Sequence, residues 1–245
     1  MSTPLIRVDR LTMGWDDVIL QKEACFEVQR NEIFAILGGS GCGKSTMLRY
    51  LVGLEVPISG AISIEGIGHP NLDVGRPPFG VMFQSGALFG SLSVGENVAL
   101  ALDEWTDLPE DAIGAIVRAK LKLVGLDGSE DKFPSEISGG MKKRAAIARA
   151  MALEPPLLFL DEPSAGLDPV SSVELDDLIL TLNRVLGLTV VLVTHELPSI
   201  FKIAKRCIML DKDSQSIIAD GDPRELRESS TDPRVHDFFN RMPHS

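Results

Sequence analysis

From Phe34 to Val52 the chain passes from an apolar run to a glycine loop to an amphipathic segment. It reads Phe34-Ala35-Ile36-Leu37, then Gly38-Gly39-Ser40-Gly41-Cys42-Gly43-Lys44-Ser45-Thr46, then Met47, Leu48, Leu51 and Val52 at helical spacing. No other stretch restricts the fold as strongly. Gly38, Gly43, Lys44 and Ser45 fit the spacing G-x-x-x-x-G-K-[ST] between a strand and a helix. Glycines let successive backbone N–H groups curl round an anion without Cβ clashes. The helix start adds unpaired donors and partial positive charge. Lys44 can then reach the outer phosphates of a nucleotide, and the Ser45 hydroxyl can ligate Mg2+. Residues Gly38 to Thr46 are therefore expected to bind nucleotide: Gly38, Gly39, Ser40, Gly41, Cys42, Gly43, Lys44, Ser45 and Thr46. The alternative, a strand–helix turn that binds nothing, is disfavoured because the fixed positions and both flanking elements agree. Cys42 lies in an electropositive loop at a helix start, where thiolate is favoured, so thiol reagents are expected to inactivate the protein. The alternative is a small loop residue.

A loop that holds phosphates needs an acidic metal partner, and Leu157-Leu158-Phe159-Leu160-Asp161-Glu162 supplies the best placed one. Four apolar residues predict a buried strand with two carboxylates at its carboxyl end, where ligands of open α/β sheets bind. Asp161 is expected to hold Mg2+ through water, and Glu162 to polarise the water that attacks the γ-phosphate. Ser164-Ala165-Gly166-Leu167-Asp168-Pro169 follows as a tight turn, and a helix runs from about Val170. A further buried strand, Val190-Val191-Leu192-Val193, ends at Thr194-His195-Glu196, which puts His195 at the same sheet edge as Lys44 and Asp161. Val81-Met82-Phe83-Gln84 reads as a strand ending in an amide that can reach Mg2+ or the attacking water.

Around this core, residues 5–37 alternate apolar and polar, with turn signals at Gly14 and Arg30-Asn31, which predicts an antiparallel sheet. Residues Gly60–Gly66 read as another strand. Trp15 is placed in the turn after the first strand, where its face can stack on a purine; core packing is the alternative. The stretch from Gln84 to about Met151 reads as a helical insert, with Ile113, Ile116, Val117, Leu121 and Val124 near a 3.6-residue period. Within it, Gly86, Ala87 and Gly90 leave room for a cleft walled by Leu88 and Phe89, fit for an amphipathic partner helix. The alternative is that Leu88 and Phe89 fill the insert's own core. Ser138 is placed to cap a helix whose first residues, Gly139, Gly140 and Met141, expose N–H groups to an anion. Alone, this signal is as well explained by a turn. The basic residues Lys142, Lys143 and Arg144 read as a solvated face with a docking role. Ile208–Leu210 and Ser216–Ala219 read as a closing hairpin. In the tail, Asp232 caps a helix begun by Pro233, with Val235, Phe238 and Phe239 on one face; it either docks on a partner or packs on its own domain.

Charge narrows the partners. Against 24 Lys and Arg stand 35 Asp and Glu, a net charge of −11. That balance argues against a nucleic acid held by phosphate neutralisation and against direct docking on anionic lipid. The sparse, odd set of Cys25, Cys42 and Cys207 fits a reducing compartment. No signal peptide and no membrane span is legible, so the chain is expected in the cytoplasm, with any membrane role exerted through a partner.

The ordered set formed by the glycine loop, Gln84, Ser138-Gly139-Gly140, Asp161-Glu162, Ser164–Asp168 and His195 resembles the ABC-type ATPases over residues 5 to about 225. The resemblance implies an α/β fold: a RecA-like P-loop core with an N-terminal antiparallel β subdomain and an inserted helical signature subdomain, spanning residues 1–229 with the insert at about 84–151. The tail 230–245 then stands outside as a docking helix. It further implies ATP and Mg2+ as ligands, with Ser45, Gln84 and Asp161 on the metal. It implies a head-to-tail homodimer in which Ser138, Gly139, Gly140 and Met141 face the ATP of the other subunit beside a D-loop of Ser164, Ala165, Gly166, Leu167 and Asp168. Phe83–Phe89, Met141 in place of the usual glutamine, Arg144-Ala145-Ala146 and Asp232-Pro233-Arg234-Val235 look more narrowly like the Mla and Mce lipid-transport ATPases. That likeness implies a peripheral subunit on the inner face of the inner membrane, held by an integral-membrane permease that Leu88 and Phe89 contact, with an MCE-domain substrate-binding protein and a small accessory regulator as further partners. The competing expectations are a non-transport ABC ATPase of the cell-division or other regulatory type and an importer of another solute.

Overall fold

The computed structural model describes residues 3–15, 17–72 and 75–240. Residues 1–2 of the N-terminal stretch and 241–245 of the tail lie outside the described residues, as do Asp16, Asp73 and Val74. The chain begins with strands β1 (Ile6–Trp15), β2 (Val18–Val28) and β3 (Ile33–Gly38), followed by helix α1 (Lys44–Leu51), β4 (Ser59–Ile64) and β5 (Gly80–Met82). Helices α2 (Val94–Trp105), α3 (Glu110–Leu123) and α4 (Gly139–Ala150) precede β6 (Leu157–Asp161) and α5 (Pro169–Leu186). The chain then forms β7 (Thr189–Val193), α6 (Leu197–Ile203), β8 (Arg206–Asp211), β9 (Ser216–Gly221), α7 (Pro223–Ser229) and α8 (Pro233–Asn240). It is an α/β protein in two compact units, Met1–Gly75 with Thr189–Ser245, and Arg76–Leu188.

In the first unit, β2, β1 and β4 form an antiparallel sheet, with Ile6 opposite both Val28 and Ile64. Strand β1 does not turn at Gly14. It runs on to Trp15, which pairs with Val18. A Cβ on Gly14 would lie 2.1 Å from the Val18 carbonyl oxygen, so this glycine permits close approach of the two strands rather than a turn. The Tyr50 hydroxyl of α1 donates to the Gly14 carbonyl at 2.9 Å and accepts from the Gly14 N–H at 3.2 Å, tying the glycine-loop helix to this sheet. The other sheet edge in this unit runs β7-β3-β8-β9; β7, β3 and β8 are parallel and β9 returns antiparallel as the expected hairpin. Every residue of β3 and β7 is buried, as continuous apolar runs in a parallel sheet should be. Helix α8 starts at Pro233, and the Asp232 carboxylate accepts from the Arg234 N–H at 2.9 Å. It buries Val235 and Phe239 within this unit, the Phe239 ring centroid 5.7 Å from that of Phe201.

In the second unit, β5 pairs in parallel with β6, from Gly80 beside Leu158 to Met82 beside Leu160. β5 stops at Met82 instead of running to Gln84, and Phe83 stands partly exposed beyond it. The helices α2, α3 and α4 pack on one another through Val98, Leu102, Ile113, Val117 and Leu121. Ser93 opens α2 with a reciprocal capping box to Glu96. Behind it the buried Asn97 amide donates to the carbonyls of Phe89, Leu92 and Ser93 and accepts from the Phe89 N–H, which gives the loop before α2 its shape. Phe89 itself is 57% exposed and fills no core. Among the described residues no helix is long and apolar enough to cross a membrane.

Candidate functional site

Each unit carries its own cluster at the carboxyl ends of parallel strands. In the first unit, Ile36 of β3 lies beside Val193 of β7, and Gly38 beside Leu210 of β8. The glycine loop leaves β3 at Gly38, and His195 follows β7 by two residues, so the register brings them to one edge. Gly43 caps α1 with a left-handed φ of 97° and offers no side-chain acceptor to the helix's first N–H groups. Cβ atoms built on Gly39 and Gly41 meet nothing within 4 Å. That side of the loop is open. On the other side Gly43 backs onto Met13, whose Cε would stand 2.8 Å from an added Cβ. The Lys44 ammonium donates to the carbonyls of Gly38 and Gly39 at 3.0 and 2.9 Å, which holds it against the loop. Trp15 closes β1 with 46% of its surface exposed, so core packing does not take it up whole.

Cys42 does not match the expected reactive thiol. It is buried, and burial pushes its thiol pKa up despite the opposing charge of Lys44. Desolvation of the thiolate outweighs the electropositive loop. Cys207 is buried as well and is pushed up to about 12 by burial and by Asp220 and Asp222, while Cys25 is exposed. A maleimide is therefore expected to label Cys25 in the folded protein and to reach Cys42 and Cys207 only in denaturant. ATP-protectable labelling of Cys42, read by peptide mass, would contradict this.

In the second unit the pairing of Met82 with Leu160 sets Phe83-Gln84 beside Asp161-Glu162 at adjacent strand ends. Glu162 has a φ of 47°, a left-handed backbone that costs a non-glycine residue on the order of 1–3 kcal/mol. Its carbonyl accepts from the Ala165 N–H at 3.2 Å, and the Ser164 carbonyl accepts from the Leu167 N–H at 3.1 Å, so the chain turns twice directly after the carboxylate pair. Asp168 ends the turn as cap of α5, accepting from the N–H groups of Val170 and Ser171 at 3.0 Å each. A hydrogen bond from the Ser171 side chain is the largest of the effects that hold the Asp168 carboxyl below its ordinary value. Ser138 caps α4, accepting from the Met141 N–H at 3.2 Å.

The basic run after Ser138 is not a uniform solvated face. One helical step turns Lys143 inward, where it is only 7% exposed. Its ammonium donates to the carbonyls of Gln84 and Glu162. Burial lowers its pKa, opposed by the charges of Glu162 and Asp161. Arg144 pairs with Glu174.

Sequence reasoning placed Lys143 on the surface and passed over Gln21. The buried Gln21 amide nitrogen donates to the carbonyls of Cys42 and Asp211 at 3.1 and 3.0 Å, bracing the glycine loop from β2. The available signal was its place in a strand whose neighbours inward are apolar. As oxygen donors of the kind Mg2+ prefers, the first unit has the Ser45 hydroxyl and the second has the Gln84 amide and the Asp161 carboxylate.

The ABC transporter family matches residues 22–165. The intermembrane phospholipid transport system ATP-binding protein MlaF of Haemophilus influenzae is 40% identical over 244 residues, 98% of this chain and 91% of that protein. The "probable ribonucleotide transport ATP-binding protein mkl" of Mycobacterium leprae is 40% identical over 96% of this chain; the chain spans 68% of that longer protein. Among solved structures, cbiO1 of Clostridium perfringens, part of the transporter complex cbiONQ, superposes with a TM-score of 0.82 at 31% identity over 93% of this chain and 92% of its own. The ATP-binding cassette MJ0796, a dimer in a post-hydrolysis state with ADP and Pi, superposes at 0.77 with 29% identity, over 89% of this chain and 98% of its own. With 40% identity carried across nearly the whole length and the cassette fold shared with both solved structures, the chain belongs to the ABC transporter family, among its nucleotide-binding ATPases.

Proposed function

We propose that this chain hydrolyses ATP to ADP and phosphate to drive phospholipid transport by a membrane permease. The observation that carries the reading is the open glycine cradle at Gly39 and Gly41 leading into a helix start without a side-chain cap. Its backbone donors and Lys44 bind the phosphates, and Trp15 stacks on the adenine. Ser45, Gln84 and Asp161, the last through water, are the Mg2+ ligands; when bound, the ion neutralises charge on the phosphate oxygens. Glu162 takes a proton from the attacking water as general base, Gln84 orients that water, and His195 meets the γ-phosphate. Ser138, Gly139, Gly140 and Met141 of one subunit serve the ATP of a second copy, with Ser164 to Asp168 as the D-loop between them. The dimeric cassette with ADP and Pi supports this arrangement.

Leu88 and the exposed Phe89 dock a permease helix, which places the chain on the inner face of the membrane without a span of its own. An MCE-domain substrate-binding protein and a small accessory regulator complete the assembly. Phospholipid is preferred to ribonucleotide because the chain covers 91% of the MlaF relative and 68% of the mkl relative. The test is isolation of the complex from native membranes. A multi-span membrane protein should accompany the chain, and phospholipid should move between labelled vesicles only with Mg-ATP. ATP hydrolysis with no membrane protein in the complex would favour a regulatory ATPase instead.

Lys44→Ala removes a charge-assisted contact worth about 1.5–3 kcal/mol. Titration with a fluorescent ATP analogue should then show binding weakened roughly ten- to hundredfold. Unchanged affinity would remove Lys44 from the phosphate site.

A further inference from the structure

Helix α4 grips the loop after β5 by two cations. Lys143 donates to the Gln84 carbonyl, and Arg149, further along the helix, donates to the carbonyls of Gly86 and Ala87 at 2.8 and 2.7 Å. The loop between them is tightly turned: Gly86 N–H bonds the Phe83 carbonyl at 2.7 Å, and Ala87 has a left-handed φ of 48°. Lys143 alone also reaches past this loop, to the Glu162 carbonyl at 3.3 Å. Both residues it touches through their backbone lie just beyond strand ends and carry the side chains proposed for the site, and Glu162 is held there in a strained conformation. The other buried residues of α4 are apolar, Ala145, Ala146, Ile147 and Ala148. A buried ammonium on such a face costs desolvation that an apolar side chain of like length would avoid. Packing alone therefore does not account for lysine at this position. Two carbonyls converging on one donor do.

We propose that Lys143 is a positioning residue for hydrolysis: by joining the carbonyls of Gln84 and Glu162 it fixes the backbone of the water-orienting amide and that of the general base in one arrangement. Because Lys143 lies on the helix that Ser138 caps, it also ties the first turn of that helix to both. The proposal rests on the reading of Glu162 as base.

Steady-state ATP hydrolysis and thermal melting of the full chain test it with two substitutions. Lys143→Met keeps an unbranched apolar stem, one atom shorter, and removes the donors. Lys143→Gln removes the charge and keeps two N–H donors on one nitrogen. Lys143→Met should lower kcat by about tenfold or more with KM for ATP changed by less than about threefold, the pattern of a lost transition-state interaction. Lys143→Gln should recover kcat to within about threefold of the parent. The proposal falls if Lys143→Met keeps the parent kcat, if it raises KM alone, if Lys143→Gln is as slow as Lys143→Met, or if neither variant folds, since the lysine would then serve folding only. Glu162→Gln in the same assay separates the two ideas. Turnover retained there removes the base assignment whatever Lys143 does, whereas turnover lost there but kept in Lys143→Met removes this proposal alone.

Discussion

Glu162→Gln is expected to bind ATP as the parent does and to turn it over about 10²–10⁴-fold more slowly, the range lost with a general base. The substitution keeps size and hydrogen-bonding capacity and removes the carboxylate that accepts the proton of the attacking water. It should not disturb the backbone. Glutamine tolerates the left-handed φ of 47° no worse than glutamate, and the hydrogen bonds from the Ala165 N–H and Lys143 to its carbonyl are kept. Folding and the glycine loop are therefore left intact, and the loss should appear in kcat and not in nucleotide affinity. With hydrolysis blocked, bound ATP should accumulate a long-lived dimer, visible by sedimentation in Mg-ATP and absent in ADP. Turnover within about threefold of the parent would assign the base elsewhere. Glu162→Ala is a poorer test, because it also empties a buried position.

The features of the fold and site that were legible are those whose causes are local. The glycine loop is specified by adjacent residues, each with its own steric or electrostatic reason. The buried strands β3, β6 and β7 are continuous apolar runs, and Asp232-Pro233 and Asp168-Pro169 carry helix starts within a few residues. What was not legible depends on distant neighbours. Gln21 joins the glycine loop, at the Cys42 carbonyl, to the Asp211 carbonyl 190 residues away in sequence, which no pattern in β2 encodes. Gly14 looks like a turn signal, and only the approach of Val18 on the partner strand shows why glycine is required inside the strand. Lys143 reads as one of three surface cations until the helical phase of α4 turns it onto two carbonyls. For Cys42 the local charge was read correctly and the burial was not: electrostatics favours the thiolate, but desolvation dominates once the residue is enclosed. Phe89 is the opposite case: the fold leaves this aromatic exposed, which sets aside the alternative that it fills the insert's own core.

Phe239→Ala is expected to cost about 3–5 kcal/mol, the usual loss on truncating a buried phenylalanine to alanine. Its side chain is 2% exposed, with ring centroids 5.7 Å from Phe201 and 5.4 Å from Phe238. No small rearrangement fills the space, because α8 is pinned at its other end: Arg234 donates to Asp211 at 2.8 Å and to Asp232 at 2.6 Å. At about 2–4 °C per kcal/mol for a chain of this size, the melting temperature should fall by on the order of 10 °C. Deleting residues from Thr231 onward should cost at least as much, since it exposes the surface under Val235 as well. This weighs toward packing within the first unit as the main work of the tail. A docking role, if the segment has one, must use the side of α8 that carries His236 and Asp237, since Val235 and Phe239 are already covered. His236→Ala with Asp237→Ala should then leave melting unchanged and weaken assembly with a second copy or a partner. Melting lost in that double variant, or kept on deletion of the tail, would reverse the assignment of the two faces.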